Sequence, residues 1–133
     1  MILIDSNVPM YIVGASHPNK VAALRILEKT IMDRQRLVTD AEVFQEILHR
    51  YTSIDRSGAI QPAFEAILEV VDDVLAVEKR DVLRAAEILQ VPGHWTARDA
   101  LHIAIMERHG IRRIMSFDAD FDRWPGLSRI FEV

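Results

Sequence analysis

Apolar and polar positions along this chain switch between two spacings. "ILI" (Ile2–Ile4) is a short unbroken apolar run that ends at a charge, Asp5. From about Pro18 the apolar positions Val21, Leu24, Leu27 and Ile31 recur every three or four residues, the spacing of one helix face. "RLVT" (Arg36–Thr39) predicts a second strand. A helix follows from about Asp40 to Tyr51, with Val43, Phe44, Ile47, Leu48 and Tyr51 as its apolar stripe. Gln61–Val71 predicts another helix, "VLAVE" (Val74–Glu78) a third strand, and "RDVLRAAEILQV" (Arg80–Val91) a helix closed by Pro92 and Gly93. Thr96–His109 is a helix apolar almost all round, with Gly110 as its left-handed stop. "RIMSF" (Arg113–Phe117) is the fourth strand, and "RIFEV" (Arg129–Val133) a short edge strand.

Strands separated by helices require crossover connections. The expected fold is therefore α/β, three layers α/β/α, with a central mostly parallel sheet of four to five strands. No repeat, low-complexity tract or linker interrupts it, so one domain is expected over residues 1–133. In open sheets of this kind ligands gather beyond the carboxyl ends of the strands. Asp5 and Asp118 both stand at such ends.

Composition narrows the chemistry. Half the residues are hydrophobic and 27% are charged, which is globular rather than disordered. The absence of cysteine removes disulfides, zinc–thiolate sites and thiol nucleophiles. "MILIDSNVPM" lacks a basic leader and meets Asp5 early, and no apolar run reaches the roughly 18 residues of a membrane span. A cytoplasmic protein without a membrane partner is expected. The net charge of −4 argues against binding nucleic acid by bulk electrostatics. Such a partner would need a local device, for example metal ions that mask carboxylates.

The acidic residues carry the candidate chemistry, and each also has a plain structural use. Asp5 suits a helix cap or an Asx turn. Thr39 and Glu42 form an S/T-x-x-E capping-box pattern, which gives Glu42 a structural task and leaves Glu46, one turn on and nearer the edge of the apolar stripe, better placed to reach a cleft. Thr96 and Asp99 repeat the pattern, yet Asp99 opens a helix whose composition demands burial, where a carboxylate is costly unless paired or bound to metal. In "SFDADFD" the alternating Asp118, Asp120 and Asp122 suggest an EF-hand loop. Arg123 and Arg129 occupy the positions where that loop needs glycine and glutamate, so the EF-hand fails. Asp118 is nearest the strand end; Asp120 and Asp122 are read as turn caps. His102, three residues after Asp99, is read as a core or supporting histidine, and His17, His49, His94 and His109 have no evident partner. Four carboxylates in one cleft cannot all stay ionised without cations, and an all-oxygen site suits Mg²⁺ or Mn²⁺.

"MILIDSNV", "VTDAEVFQEILHRY" and "ARDALHIAIMERHGIRRIMSFDADFD", in this order, resemble the PIN-domain nucleases, especially the VapC-type toxins of toxin–antitoxin pairs. The likeness spans essentially the whole chain and is most specific from Asp99 to Asp122. It implies that Asp5, Glu46, Asp99 and Asp118 are the catalytic and metal-chelating acids, with Asn7 and Ser116 in support. Glu42 stands close enough to Glu46 to share or replace its role. One departure is Phe117, where the family often carries a small polar residue beside the last acid. The resemblance further implies a Mg²⁺- or Mn²⁺-dependent endoribonuclease of a type II toxin–antitoxin system. Its substrate would be RNA, often tRNA; its partners a cognate antitoxin and a second copy in a homodimer. A catalytically silent PIN-like module that binds RNA or protein is the alternative. Two other α/β classes fit poorly: a receiver domain wants paired acids after the first strand and a late lysine, whereas no lysine follows Lys79. A haloacid-dehalogenase-type phosphatase wants D-x-D where this chain has "DSN".

Overall fold

The computed structural model describes residues 1–133. In chain order they form β1 (Ile2–Ile4), α1 (Asn7–Val13), α2 (Pro18–Met32), β2 (Leu37–Asp40), α3 (Ala41–Ser53), α4 (Ile60–Leu68), β3 (Asp73–Leu75), α5 (Lys79–Ile88), α6 (Ala97–Arg108), β4 (Arg113–Met115) and β5 (Ser128–Ile130). Short 3₁₀ turns cover Ser57–Ala59 and Ala119–Arg123. The strands run in the order β3-β2-β1-β4-β5, and every neighbouring pair is parallel.

The short apolar strands read as continuous runs because both faces of the sheet are covered. Ile2 and Ile4 turn to one side, into a cluster with Val8 of α1, Ile26 and Leu27 of α2, Val43 and Ile47 of α3, and Ile67 of α4. Leu3 turns to the other, against Ile88 of α5 and Ile103 and Ala104 of α6. Each such fully buried aliphatic contributes roughly 1.5–3 kcal/mol relative to an exposed one. Burial on both faces fixes the strands, so only their ends are open to chemistry. Strand order reverses direction at the β1–β4 pair, where the Asp5 N–H donates to the Met115 carbonyl at 3.0 Å. That junction is the switch point at which open parallel sheets hold ligands.

Several elements differ from the sequence expectation. Helix α1 was not foreseen, because a seven-residue segment with Pro9 in its first turn shows no periodicity; a proline there removes no hydrogen bond the helix needs. On α2 only Leu27 of the expected stripe is buried. Val21, Leu24 and Ile31 are about half exposed, and Ala23, Ile26, Leu27 and Thr30 face inward. Two helical faces carried aliphatics at the same spacing, and the one that packs has the small residues. Thr30 can be buried because its hydroxyl donates to the Ile26 and Leu27 carbonyls, each at 2.9 Å. Strand β5 is Ser128–Ile130 rather than Arg129–Val133.

The cap of α3 also differs. Thr39 lies in β2, and its hydroxyl donates to the Ile4 carbonyl at 2.8 Å, stitching β1 to β2. The N-cap is Asp40, whose Oδ1 accepts from Val43 N–H at 2.9 Å. The Thr39–Glu42 capping box therefore does not form. Gly110 after α6 has φ +66°, the left-handed stop that the sequence indicated.

Candidate active site

Four separate segments deliver carboxylates to one cleft of about 570 Å³ at the carboxyl edge of the sheet. Asp5 arrives from the end of β1, Glu46 from the second turn of α3, Asp99 from the first turn of α6 and Asp118 from the turn after β4. Asn7 of α1 and Arg98 of α6 also line it. Glu42 does not line the cleft, which separates the two glutamates that sequence spacing left open.

Asp5 is buried and held on both oxygens. Its Oδ1 accepts from Ser6 N–H at 2.8 Å; its Oδ2 accepts from the Ser116 hydroxyl at 2.6 Å and the Asn7 amide at 3.3 Å. The Asn7 amide also donates to Ser116 Oγ at 3.2 Å, so the polar pair flanks the first acid from both β-strand ends. Burial pushes the Asp5 carboxyl above its ordinary value, with the Glu46 charge adding to the rise.

Glu46 is gripped by two donors. His102 Nε2 lies 2.5 Å from its Oε1, and the Ser6 hydroxyl donates to Oε2 at 2.6 Å. The other ring nitrogen of His102, Nδ1, is 2.6 Å from Asp40 Oδ2. Both His102 and Asp40 have no exposed surface. A carboxylate at each ring nitrogen requires two N–H donors, the imidazolium form. Burial opposes that charge, but Asp40 and Glu46 hold the ring well above its ordinary value. Burial likewise pushes Glu46 up, and the His102 and Ser6 bonds outweigh it and hold the carboxyl below its ordinary value. The sequence marked His102 as a core or supporting residue and gave Asp40 no role beyond the start of a helix. Their pairing spans 62 positions, and no local signal carries it.

The other half of the cluster is different. Thr96 caps α6 by accepting from Asp99 N–H at 3.1 Å, but the reciprocal bond of a capping box does not form, so the Asp99 carboxylate points to the cleft. Oxygens of Asp99, Asp118 and Asp120 lie within 4.8 Å of one another. Asp99 is pushed up to about 6, first by burial and then by the charges of Asp118 and Asp5. Asp118 is itself the cap of the turn that follows β4, its Oδ1 accepting from Asp120 N–H at 2.9 Å. The cap role expected of Asp120 and Asp122 thus falls to Asp118. Asp120 faces the acids and pairs with Arg123 at 3.1 Å, while Asp122 turns away to Arg129 with two contacts of 2.9 Å.

The arginines also sort by position. Arg98 lines the cleft, whereas Arg112 and Arg113 do not, and Arg123 is tied to Asp120 and packs over Trp95. The cleft also takes in Arg50 and Arg56, from the end of α3 and the loop after it. Chemically, the arrangement is a carboxylate-rich donor set, with His102 behind Asp5 and Glu46 and uncompensated negative charge at its Asp99–Asp118 side. That is the environment a hard divalent cation takes.

The PIN domain family model matches residues 2–127. Ribonuclease VapC13 of Mycobacterium tuberculosis is 58% identical over 130 residues, covering 98% of this chain and 99% of that protein. Among solved structures, the Mycobacterium tuberculosis VapC20 toxin, described as cleaving the sarcin–ricin loop, superposes with a TM-score of 0.75 at 22% identity, covering 92% of this chain and 93% of that one. A toxin–antitoxin complex from Klebsiella pneumoniae superposes at 0.64 with 12% identity and full coverage of both chains. Acids gathered from four segments at the switch point of a parallel sheet, a family model across nearly the whole chain and a full-length VapC relative agree: this chain belongs to the PIN-domain family, in its VapC branch.

Proposed function

We propose that this protein is the toxin of a type II toxin–antitoxin pair, a metal-dependent endoribonuclease that hydrolyses RNA phosphodiester bonds in the cytoplasm. The observation that carries the reading is the Asp99 carboxylate. It is buried beside Asp118 and Asp5, raised to about 6, and makes no ion pair with a lysine or arginine. A merely structural site has cheaper solutions, such as the Asp81–Arg108 pair that joins α5 to α6.

Mg²⁺ or Mn²⁺ fits this donor set, with Asp5, Asp99 and Asp118 as ligands and Glu46 assisting; when bound it would lower the pKa of a coordinated water and neutralise charge on the phosphate. The protein's own part is positional. Ser6, Ser116 and Asn7 fix the rotamer of Asp5, and the Asp40–His102 pair with Ser6 fixes Glu46. Arg98, which has no carboxylate partner, is free to contact a phosphate beside the acids. Cancelling charge inside the cleft lets RNA approach a protein of net charge −4. VapC relatives and the Klebsiella complex support a cognate antitoxin as partner; a homodimer and a structured substrate such as tRNA belong to the same reading.

The test is cleavage of a mixed RNA pool by purified protein in Mg²⁺ or Mn²⁺ against chelator, wild type beside Asp99→Asn. Metal-dependent cutting that the folded variant loses supports the nuclease. RNA bound but left intact by wild type in both metals would favour the silent binding module.

A further inference from the structure

The cleft extends well past the four acids, and its far end is built of different chemistry. Tyr11 of α1 and His17 at the start of α2 line it, as do Arg50 and Arg56. The Tyr11 and His17 rings lie 4.9 Å apart at 33°, and Tyr11 meets the edge of Phe117 at 5.3 Å and 80°. Phe117 is the residue that departs from the family's small polar position, and its N–H donates to Asn7 Oδ1 at 3.3 Å, which ties this aromatic step to the acid end. His17 is exposed yet not loose. Its Nδ1 accepts from Asn19 N–H at 3.0 Å, because His17 is the N-cap of α2. An exposed ring held in one orientation, backed by a second ring, is a stacking surface rather than core packing.

The cations beside it are equally specific. Six of the sixteen Lys and Arg residues are engaged in ion pairs with carboxylates, and Arg50, Arg56 and Arg98 are not among them. Three unpaired guanidiniums therefore share one cleft on an otherwise acidic protein. A paired, stacked base offers no face to an aromatic side chain, whereas an unpaired base does, and proteins that read single strands combine such rings with backbone-tracking cations.

We infer that the Tyr11–His17 end of the cleft is a subsite for one unpaired nucleobase, stacked on the exposed face of His17, with Arg50 and Arg56 holding the phosphates that flank it. The two rings are too close to admit a base between them, so the stack is one-sided. This deepens the ribonuclease reading and rests on it: the scissile bond lies next to a nucleotide that is out of the helix, and fully paired RNA is a poor ligand.

The experiment measures binding of short labelled RNA to Asp99→Asn protein, which holds the strand without cutting. Three probes are compared: a single-stranded hexamer, the same hexamer with one abasic nucleotide scanned along it, and the hexamer in a duplex. The same probes are bound to His17→Asn, since asparagine keeps the α2 cap while removing the ring. The subsite predicts that one abasic position weakens binding by about tenfold, the scale of a lost base–aromatic stack. His17→Asn should cost about the same on the intact strand and nothing more on that abasic strand, because both remove one contact. Arg56→Gln should weaken intact and abasic strands alike and flatten the salt dependence by about one unit of slope. Equal binding of intact and abasic strands at every position overturns the inference without any further variant having to fold. So does a His17→Asn loss that is the same on both strands, or duplex binding as tight as single-strand binding. Cleavage of the hexamer by wild type in Mn²⁺ is read separately. A base-dependent stack without cutting would keep the subsite and sink the nuclease, and cutting without a base preference would do the reverse.

Discussion

The two halves of the acid cluster solve the same electrostatic problem in opposite ways. Around His102, three carboxylates (Asp5, Asp40 and Glu46) are gathered about one buried imidazolium, 2.6 and 2.5 Å from its two nearest partners. The protein has provided its own cation there. Around Asp99 and Asp118 no guanidinium pairs with either acid: Arg123 reaches only Asp120 at the rim, and Arg98, which lines the same cleft, makes no ion pair. The difference shows in the titration directions, Glu46 held down and Asp99 pushed up to about 6. Helix α6 carries both solutions and a third, since Arg108 near its far end meets buried Asp81 at 2.7 and 2.9 Å and is saturated by it. Asp5, Glu46, Asp99 and Asp118 all line the open cleft, and only the Asp99–Asp118 half is left short of positive charge. A fold that pairs buried Asp40 and Asp81 with cations of its own and leaves Asp99 without one has kept a place for a cation from outside.

The sharpest way to break that comparison is Asp118→Asn. Single-turnover RNA cleavage should fall by more than about a hundredfold, beyond the loss typical of residues that only support a metal ligand. Asp122→Asn, in the turn beyond β4 and directed toward Arg129, should cut like wild type. Near-normal cleavage by the first variant would remove Asp118 from the site.

Next comes the self-neutralised half. His102→Ala should lower the unfolding free energy by about 3–5 kcal/mol, the scale of stranding buried charges, in urea titrations with metal absent. Adding Asp40→Asn to it should recover part of the loss. If the double variant is simply worse, the imidazolium is not what balances Asp40.

Metal should act mainly through the Asp99–Asp118 half, with Asp5 shared between the two. Mn²⁺ at about a hundred times its dissociation constant should add about 2.7 kcal/mol to the stability of wild type. Asp99→Asn at the same concentration should gain much less, by thermal shift or calorimetry. Equal gains would place the ion elsewhere.

A smaller effect concerns pH. Because Asp99 has a folded value of about 6 against an ordinary 3.8, the native state takes up a proton before the unfolded chain does. Metal-free wild type should therefore gain stability relative to Asp99→Asn as pH falls from 7 through 6 towards 4, and the gap should be steady above about 7. A difference that grows with rising acidity in the opposite sense would mean that Asp99 is paired after all. Least of all should come from Lys29 and Asp33, both more than half exposed at 3.1 Å, where Asp33→Asn should change stability by no more than about 0.5 kcal/mol.

Much of this molecule was written in one dimension. The apolar runs at Ile2–Ile4 and Arg113–Met115 had to be strands, and the almost wholly apolar α6 had to be buried. Asp5 and Asp118 at strand ends, Asp99 at a buried helix start and Glu46 beside an apolar stripe were legible because each rests on spacing within one element. Two local signals pointed the wrong way: on α2 the spacing favoured the face of Val21, Leu24, Leu27 and Ile31, and on α3 the Thr39–Glu42 pattern favoured Thr39 as the cap. Packing decided both, because only one face has the small residues that fit and because Thr39 is taken by the Ile4 carbonyl across the sheet.

What the chain determined alone is the alternation of strands and helices and the positions of its acids, since both follow from side-chain spacing along a single element. What only the tertiary structure decided is which acids are neutralised and which are left for something else. That depends on contacts such as His102 with Asp40, 62 residues away, and Ser116 with Asp5, 111 away. Coulomb interactions act through space in a medium that burial has dried, and no periodicity records which charges the fold will bring within reach.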